Sequence, residues 1–153
     1  MPFEIQLRYT PPFASYSDAE EALRVFLHLV GYLREEDARP DSVAYRLVRE
    51  CFLRTPDRAW TVEELLATLR TTRPTLYRHL NRLKDLDLVE ESSPGKEAGT
   101  ARKGYKLRYG SLSRAWDFTE ANIDNVLKRY REAVDRIQFL LDGPKPSVPS
   151  GKR

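Results

Sequence analysis

The sequence is poor in the residues that metal and redox chemistry use most. It has one cysteine, Cys51, and two histidines, His28 and His79, among 153 residues. A single cysteine excludes an intramolecular disulfide. With so few soft ligands, a closed zinc site within one chain is not expected either. No apolar run approaches the roughly 18 residues that a membrane span needs. The opening Met1-Pro2-Phe3-Glu4 lacks the basic-then-apolar pattern of a secretory leader. No Ser/His/Asp set, glycine-rich phosphate loop or metal motif is present. The absences together predict a non-enzymatic protein of the reducing cytoplasm, with no cofactor, no metal and no membrane association.

What the sequence does have is charge in an uneven distribution. The net charge is +3 and the pI about 9.0, a mild bias toward polyanions that alone decides nothing. From Arg70 to Arg108, however, ten basic residues face five acidic ones, and the remainder of the chain carries a net −2. All the excess positive charge lies in one segment. Hydrophobic residues make up 41%, enough for one compact core with tails.

Periodicity divides the chain into an arm at 1–16, a helical domain at 17–142 with its core at 41–109, and a disordered tail at 143–153. In the arm, Phe3, Ile5, Leu7 and Tyr9 alternate with polar residues and predict a short strand, ended by Pro11-Pro12. The stretch Ser17-Asp18-Ala19-Glu20 reads as a capping box, opening a helix from Asp18 to Glu35. Its broad apolar stripe includes Leu23, Phe26 and Val30. Pro40-Asp41 predicts the start of a second helix running to about Arg54, with Val43, Leu47, Val48 and Cys51 inward. Thr61-Val62-Glu63-Glu64 is another capping box, with Trp60 and Leu65 placed to staple it, and a helix follows to Arg70. After a short turn, Thr72 is the expected cap of a helix that buries Leu76, Leu80 and Leu83. Strand-like segments around Leu88-Val89 and Tyr105–Tyr109 flank a loop marked by Pro94-Gly95 and Gly99, which predicts a β-hairpin with a basic tip. A last element runs from Ser113 to Leu141, with a break expected near Phe118-Thr119. Along it Ile123, Tyr130 and Ile137 repeat every seven residues, as do Val126, Ala133 and Leu140, a heptad seam suited to helix packing.

Two helices joined by a tight turn and followed by a hairpin form the pattern to explain. The second helix is expected to expose Thr72, Arg73, Thr75, Tyr77, Arg78, Asn81 and Arg82. Arginine and asparagine side chains in that position can reach base edges or phosphates, and a helix start offers free N–H groups to a phosphate. Lys96, Arg102 and Lys103 on the hairpin are placed to meet phosphates beside the groove. Less pointed alternatives stand beside these: the basic segment as a solvated face, Tyr77 as a packing residue, His28 as an interface histidine, His79 as a surface neighbour of the helix, and Cys51 as a small buried apolar residue.

The stretch from Trp60 to Glu91, with its capped helix, short turn, Thr-Leu-Tyr-Arg-His-Leu-Asn-Arg-Leu run and following Leu-Val-Glu, resembles the winged helix-turn-helix of MarR-type and ArsR-type regulators. The resemblance covers about residues 43–109. It implies a mainly α fold with a small hairpin wing and flanking N- and C-terminal dimerisation helices, a recognition helix at 72–85 and a wing at 92–103. The wing reads Ala101-Arg102-Lys103 where MarR-type proteins carry Asp-x-Arg, and the clustered Cys and His of ArsR-type metal sites are missing.

The expected function is sequence-specific binding of double-stranded DNA by a homodimer that regulates transcription. Leu23, Phe26 and Val30 of the first long helix, and Ile123, Val126, Tyr130, Ile137 and Leu140 of the last, are the expected dimer interface. The N-terminal strand is expected to pack across the partner subunit or to join a small intersubunit sheet. A winged helix used for protein contacts in a larger assembly and an architectural protein with little sequence preference are the alternatives. The arginines of the second helix weigh against the first of these.

Overall fold

The computed structural model describes residues 4–92 and 103–143. They divide into two compact units, one ending at Thr119 and one beginning at Glu120. The first contains α1 (Ala19–Leu29), α2 (Val43–Arg46) with a π-helical continuation (Leu47–Phe52), β1 (Trp60–Thr61), α3 (Val62–Leu69), α4 (Arg73–Asp85), β2 (Val89–Ser92) and β3 (Gly104–Leu107). It also contains the start of α5 (Leu112–Asp142), which runs on into the second unit. The architecture is the expected one, mainly helical with a small antiparallel sheet in the order β1-β3-β2.

Local chemistry sets most of the boundaries. Asp18, rather than Ser17, caps α1, its carboxylate accepting the Glu20 N–H at 3.0 Å. This helix stops at Leu29, a turn and a half short of the expected Glu35. Gly31 adopts a φ of +83°, which reverses the chain and folds Tyr32 and Leu33 into the core. Ser42, not Pro40-Asp41, caps α2 through the Tyr45 N–H at 3.2 Å. The continuation to Phe52 is wound more loosely, and the Leu53 N–H reaches the Val48 carbonyl at 2.8 Å.

The core is one cluster. Leu27, Tyr32, Leu47, Cys51 and Phe52 meet Leu65 and Leu69 of α3, Leu76, Leu80 and Leu83 of α4, and Leu107 of β3. Burial also pushes the Cys51 thiol up to about 11, so it acts as an inert apolar group. Leu23 and Val30, expected at a dimer interface, are buried in this same core. Phe26 packs against it edge-on to Trp116, with ring centroids 5.3 Å apart. The broad stripe of α1 is thus covered within the chain, because the chain beyond Gly31 and the first turns of α5 supply the second neighbour.

Three further expectations are corrected. The N-terminal segment forms no strand over residues 4–12, and Leu7 and Tyr9 are 86% and 93% exposed. Among the described residues the alternation there has no ladder partner, and the sheet begins at Trp60. Phe3 lies outside the described residues. Helix α5 is not broken at Phe118-Thr119. Thr119 is fully buried, and its hydroxyl donates to the Leu86 carbonyl at 2.6 Å, with the Ala115 carbonyl 3.4 Å away. A threonine bonded this way stays within a helix. His28 is exposed, not set in an apolar stripe. The tail expectation falls, beyond Gly143, outside the described residues.

In the second unit α5 presents its seam openly. Tyr130 is 64% exposed, and Val126, Leu127, Val134, Ile137, Leu140 and Leu141 are all exposed, while Ile123 is half-buried.

Candidate nucleic-acid interface

The tight turn between α3 and α4 places the candidate residues. Thr61 caps α3 in a reciprocal box: its hydroxyl accepts the Glu64 N–H at 3.2 Å, and the Glu64 carboxylate accepts the Thr61 N–H at 2.9 Å. That backbone bond holds the Glu64 carboxyl below its ordinary range. The helix ends at Arg70, which takes the left-handed conformation (φ 53°) and closes the turn through the Leu66 carbonyl at 2.8 Å. Thr72 then precedes α4 without the expected cap bond. Its hydroxyl pairs with that of Thr75 at 3.1 Å instead. Pro74 sits in the first turn, where no donor is missed.

Helix α4 has two different faces. Leu76, His79, Leu80 and Leu83 are buried. On the other side Thr72, Arg73, Tyr77, Arg78 and Asn81 are exposed, with Thr75 half-buried. Arg73 pairs with Glu63 at 3.1 Å, both side chains half exposed, a contact weak enough to be exchanged for a stronger anion. Among the described residues, no carboxylate lies within ion-pair range of Arg78. Its charge is therefore available at the centre of the face.

The hairpin lies alongside. β3 pairs with β2 from Gly104↔Ser92 to Leu107↔Val89 and with β1 through Trp60↔Tyr105 and Thr61↔Gly104. Lys103 is exposed at the root of the wing. With Val62, Glu63, Tyr77 and Tyr105 it lines a shallow hollow of about 220 Å³. Lys84 bonds Glu91 of β2 at 2.7 Å, which raises the ammonium and lowers the carboxyl from their ordinary values. Lys96 and Arg102 lie outside the described residues.

Arg82 departs from expectation. Its side chain is only 16% exposed. Nη1 donates to the Tyr32 carbonyl at 2.6 Å, Nη2 approaches His79 Nδ1, and the Asp37 carboxylate lies 3.5 Å away. The guanidinium also sits over the Tyr32 ring, 5.4 Å from its centroid. Tyr32 in turn donates its hydroxyl to the Ala44 carbonyl at 2.6 Å. His79 is 2% exposed, not at the surface. Burial first, and then the Arg82 charge, push its imidazole down to about 4, so it is neutral at neutral pH.

The inward turn of His79 was legible in the sequence. It stands three residues after Leu76 and four before Leu83, on the leucine face. Its partners Tyr32 and Asp37 were not legible, since they lie more than 40 residues away with no motif linking them.

Residues 41–92, about a third of the chain, match the family model described as a helix-turn-helix domain. A search of curated proteins finds no match. Among solved structures, the chain is similar to one described as a possible transcriptional regulator from Methanosarcina mazei Go1. The two are 19% identical, with a TM-score of 0.43, and the match covers 76% of this chain and 86% of that one. The matched residues contain the capped α3, the left-handed turn at Arg70 and the leucine-backed α4, and the β2–β3 hairpin that pairs β3 back onto them makes this a helix-turn-helix of the winged type.

Proposed function

We propose that the protein binds double-stranded DNA in a sequence-specific manner, as a homodimer, and regulates transcription. Helix α4 enters the major groove, with Arg73, Tyr77, Arg78 and Asn81 toward base edges and Thr72 and Thr75 toward the backbone. The wing at 92–103 follows the phosphates, with Lys103, Lys96 and Arg102 as its cations. The observation that carries this is the α4 face: an exposed polar surface around Arg78, which has no ion-pair partner among the described residues, backed by leucines and set in the most basic segment of the chain. The matched helix-turn-helix domain supports it.

Homodimerisation rests on the second unit. Columns a and d of its heptad (Ile123, Val126, Tyr130, Ala133, Ile137 and Leu140) are joined by Leu127, Val134 and Leu141, and most of this apolar face is exposed. Soluble monomers rarely leave so large a contiguous face open, and a two-fold partner is the commonest way to cover one. Leu23 and Val30, being core residues, take no part. A two-fold dimer reading successive major grooves predicts an inverted repeat with half-site centres about 34–36 Å apart.

The test is selection of duplexes from a randomised pool, followed by gel-shift competition against unselected DNA. An inverted repeat bound at least about a hundredfold more tightly than random duplex supports sequence-specific recognition. Equal affinity for both refutes specificity, and no retained duplex refutes DNA binding itself.

A further inference from the structure

The polar cluster behind α4 is set apart from the exposed face, and it joins α4 to a distant segment made of the connection after α1 and the start of α2. Arg82 leaves α4 on the inner flank and contacts the connection that follows α1 at two points, the Tyr32 carbonyl (2.6 Å) and the Asp37 carboxylate (3.5 Å). The same connection is tied to the start of α2. The Ser42 hydroxyl donates to the Asp37 carbonyl at 2.9 Å while capping that helix, and the Tyr32 hydroxyl reaches Ala44. Asp37 is buried, its side chain 10% exposed. Arg82 therefore cannot reach a phosphate without leaving a buried carboxylate to the Arg34 N–H alone, 3.4 Å away, which strongly disfavours the move. One donor of the cluster, the buried Arg82 Nε, has no acceptor among the described residues. The polar contacts of the guanidinium among the described residues are thus made by its two terminal nitrogens.

A planar fork that spans two acceptors on one segment fixes orientation as well as distance. The anchor sits one turn along α4 from Arg78 and next to Asn81. A small rotation of the helix about its leucine face would carry those two side chains away from base edges, where bidentate contacts tolerate little misplacement. The leucines resist such a rotation poorly, because apolar packing is non-directional.

We propose that Arg82 is a positioning residue for DNA recognition: it locks the roll of α4 against the Tyr32–Asp37 connection and does not itself touch DNA. The inference rests on the proposed DNA-binding function. It predicts that Arg82 acts through Asp37, so that losing both costs no more than losing Arg82. It also predicts that affinity falls with no change in the number of phosphates neutralised.

The experiment is a double-mutant cycle of Arg82→Met and Asp37→Ala, read by fluorescence anisotropy on the duplex selected with the wild-type protein, across a range of KCl concentrations. Arg82→Met should weaken binding about tenfold, and the double variant should be no weaker than Arg82→Met. The slope of log affinity against log salt should stay at the wild-type value. Multiplicative losses, unchanged affinity, or a slope shallower by about 0.9, the signature of one lost phosphate contact, would each overturn the proposal. Should Arg82→Met not fold, Arg82→Lys carries the same test, since one ammonium cannot serve both acceptors and should leave affinity reduced.

Hydrogen exchange of the α4 amides tests the lock without DNA. In the Arg82 variant these amides should exchange several-fold faster while those of α3 are unchanged, and equal rates overturn the lock. If the wild-type protein retains no duplex, the DNA-binding function fails, and the exchange rates alone decide whether Arg82 holds the helix.

Discussion

Burial of His79 makes the stability of this domain depend on pH in a window where few other groups titrate. A histidine in the unfolded chain has its pKa near 6.5, whereas His79 in the fold is pushed down to about 4 by burial and by Arg82 beside it. The folded state therefore refuses a proton that the unfolded state accepts. Stability conferred by the neutral imidazole is complete above about pH 7 and is lost progressively as pH falls toward 4. Linkage across that gap amounts to about 2 kcal/mol lost by pH 5 and about 3 kcal/mol by pH 4. That is a large part of the total for a small domain. Glu64 and Glu91, held low by their hydrogen bonds, lose their contributions only at lower pH, so the two effects separate. Urea unfolding followed by the fluorescence of Trp60 and Trp116 at a series of pH values measures the slope. His79→Gln keeps a polar group beside Arg82 but removes the titration, and its stability should be nearly flat between about pH 7 and 5. Parallel curves for the two proteins would refute the assignment of a neutral, buried His79.

Other perturbations follow from the same geometry. Arg78→Ala should weaken specific DNA binding by about 10- to 100-fold, whereas Lys103→Ala should weaken all duplexes alike and flatten the salt dependence by about one unit of slope; competition gel shifts in varied KCl separate the two. Ile137→Asp places a charge in the exposed α5 seam and should convert a dimer to a monomer by light scattering, with the circular dichroism spectrum unchanged; a mass unaffected by the substitution, whatever its value, would count against the seam as the interface. Thr61→Ala removes the α3 cap and should cost about 1 kcal/mol in thermal or urea unfolding. Thr119→Val deprives the Leu86 carbonyl of its donor and should cost about 1–3 kcal/mol in the same assay.

The parts of the molecule legible in the sequence are those whose cause is local. Thr61 and Glu64 are three residues apart, and the box they form is the one their spacing predicts. Leu76, Leu80 and Leu83 mark the inner face of α4 by periodicity alone, and with it the exposure of Tyr77, Arg78 and Asn81. Where two distant segments decide the outcome, sequence reasoning went astray. Arg82 looked like its neighbours on the exposed face because nothing near it announces Asp37. Leu23 and Val30 looked like surplus apolar surface because Gly31, which reverses the chain, sits unmarked inside an otherwise helical pattern. The arm from Phe3 to Tyr9 has the alternation of a strand, but a strand also needs an edge to pair with, and alternation says nothing about whether one exists. The break expected near Phe118-Thr119 does not occur, because the Thr119 hydroxyl satisfies itself against Leu86 and Ala115, and Leu86 is 33 residues away in the chain.

Thr61 belongs to two structures at once. It is the last residue of β1, paired with Gly104 at the root of the wing, and it is also the cap of α3. No linker separates β1 from α3. The wing root and the start of α3 are joined through a single residue. In the proposed complex so short a joint predicts that the DNA adjusts to the protein more than the protein adjusts to the DNA. Duplexes whose groove width already suits that fixed span are favoured over stiffer or wider ones at base pairs no side chain touches. Selectivity would then extend into the base pairs between the groove and backbone contacts, and a flexible insertion after Thr61 should erase it there first.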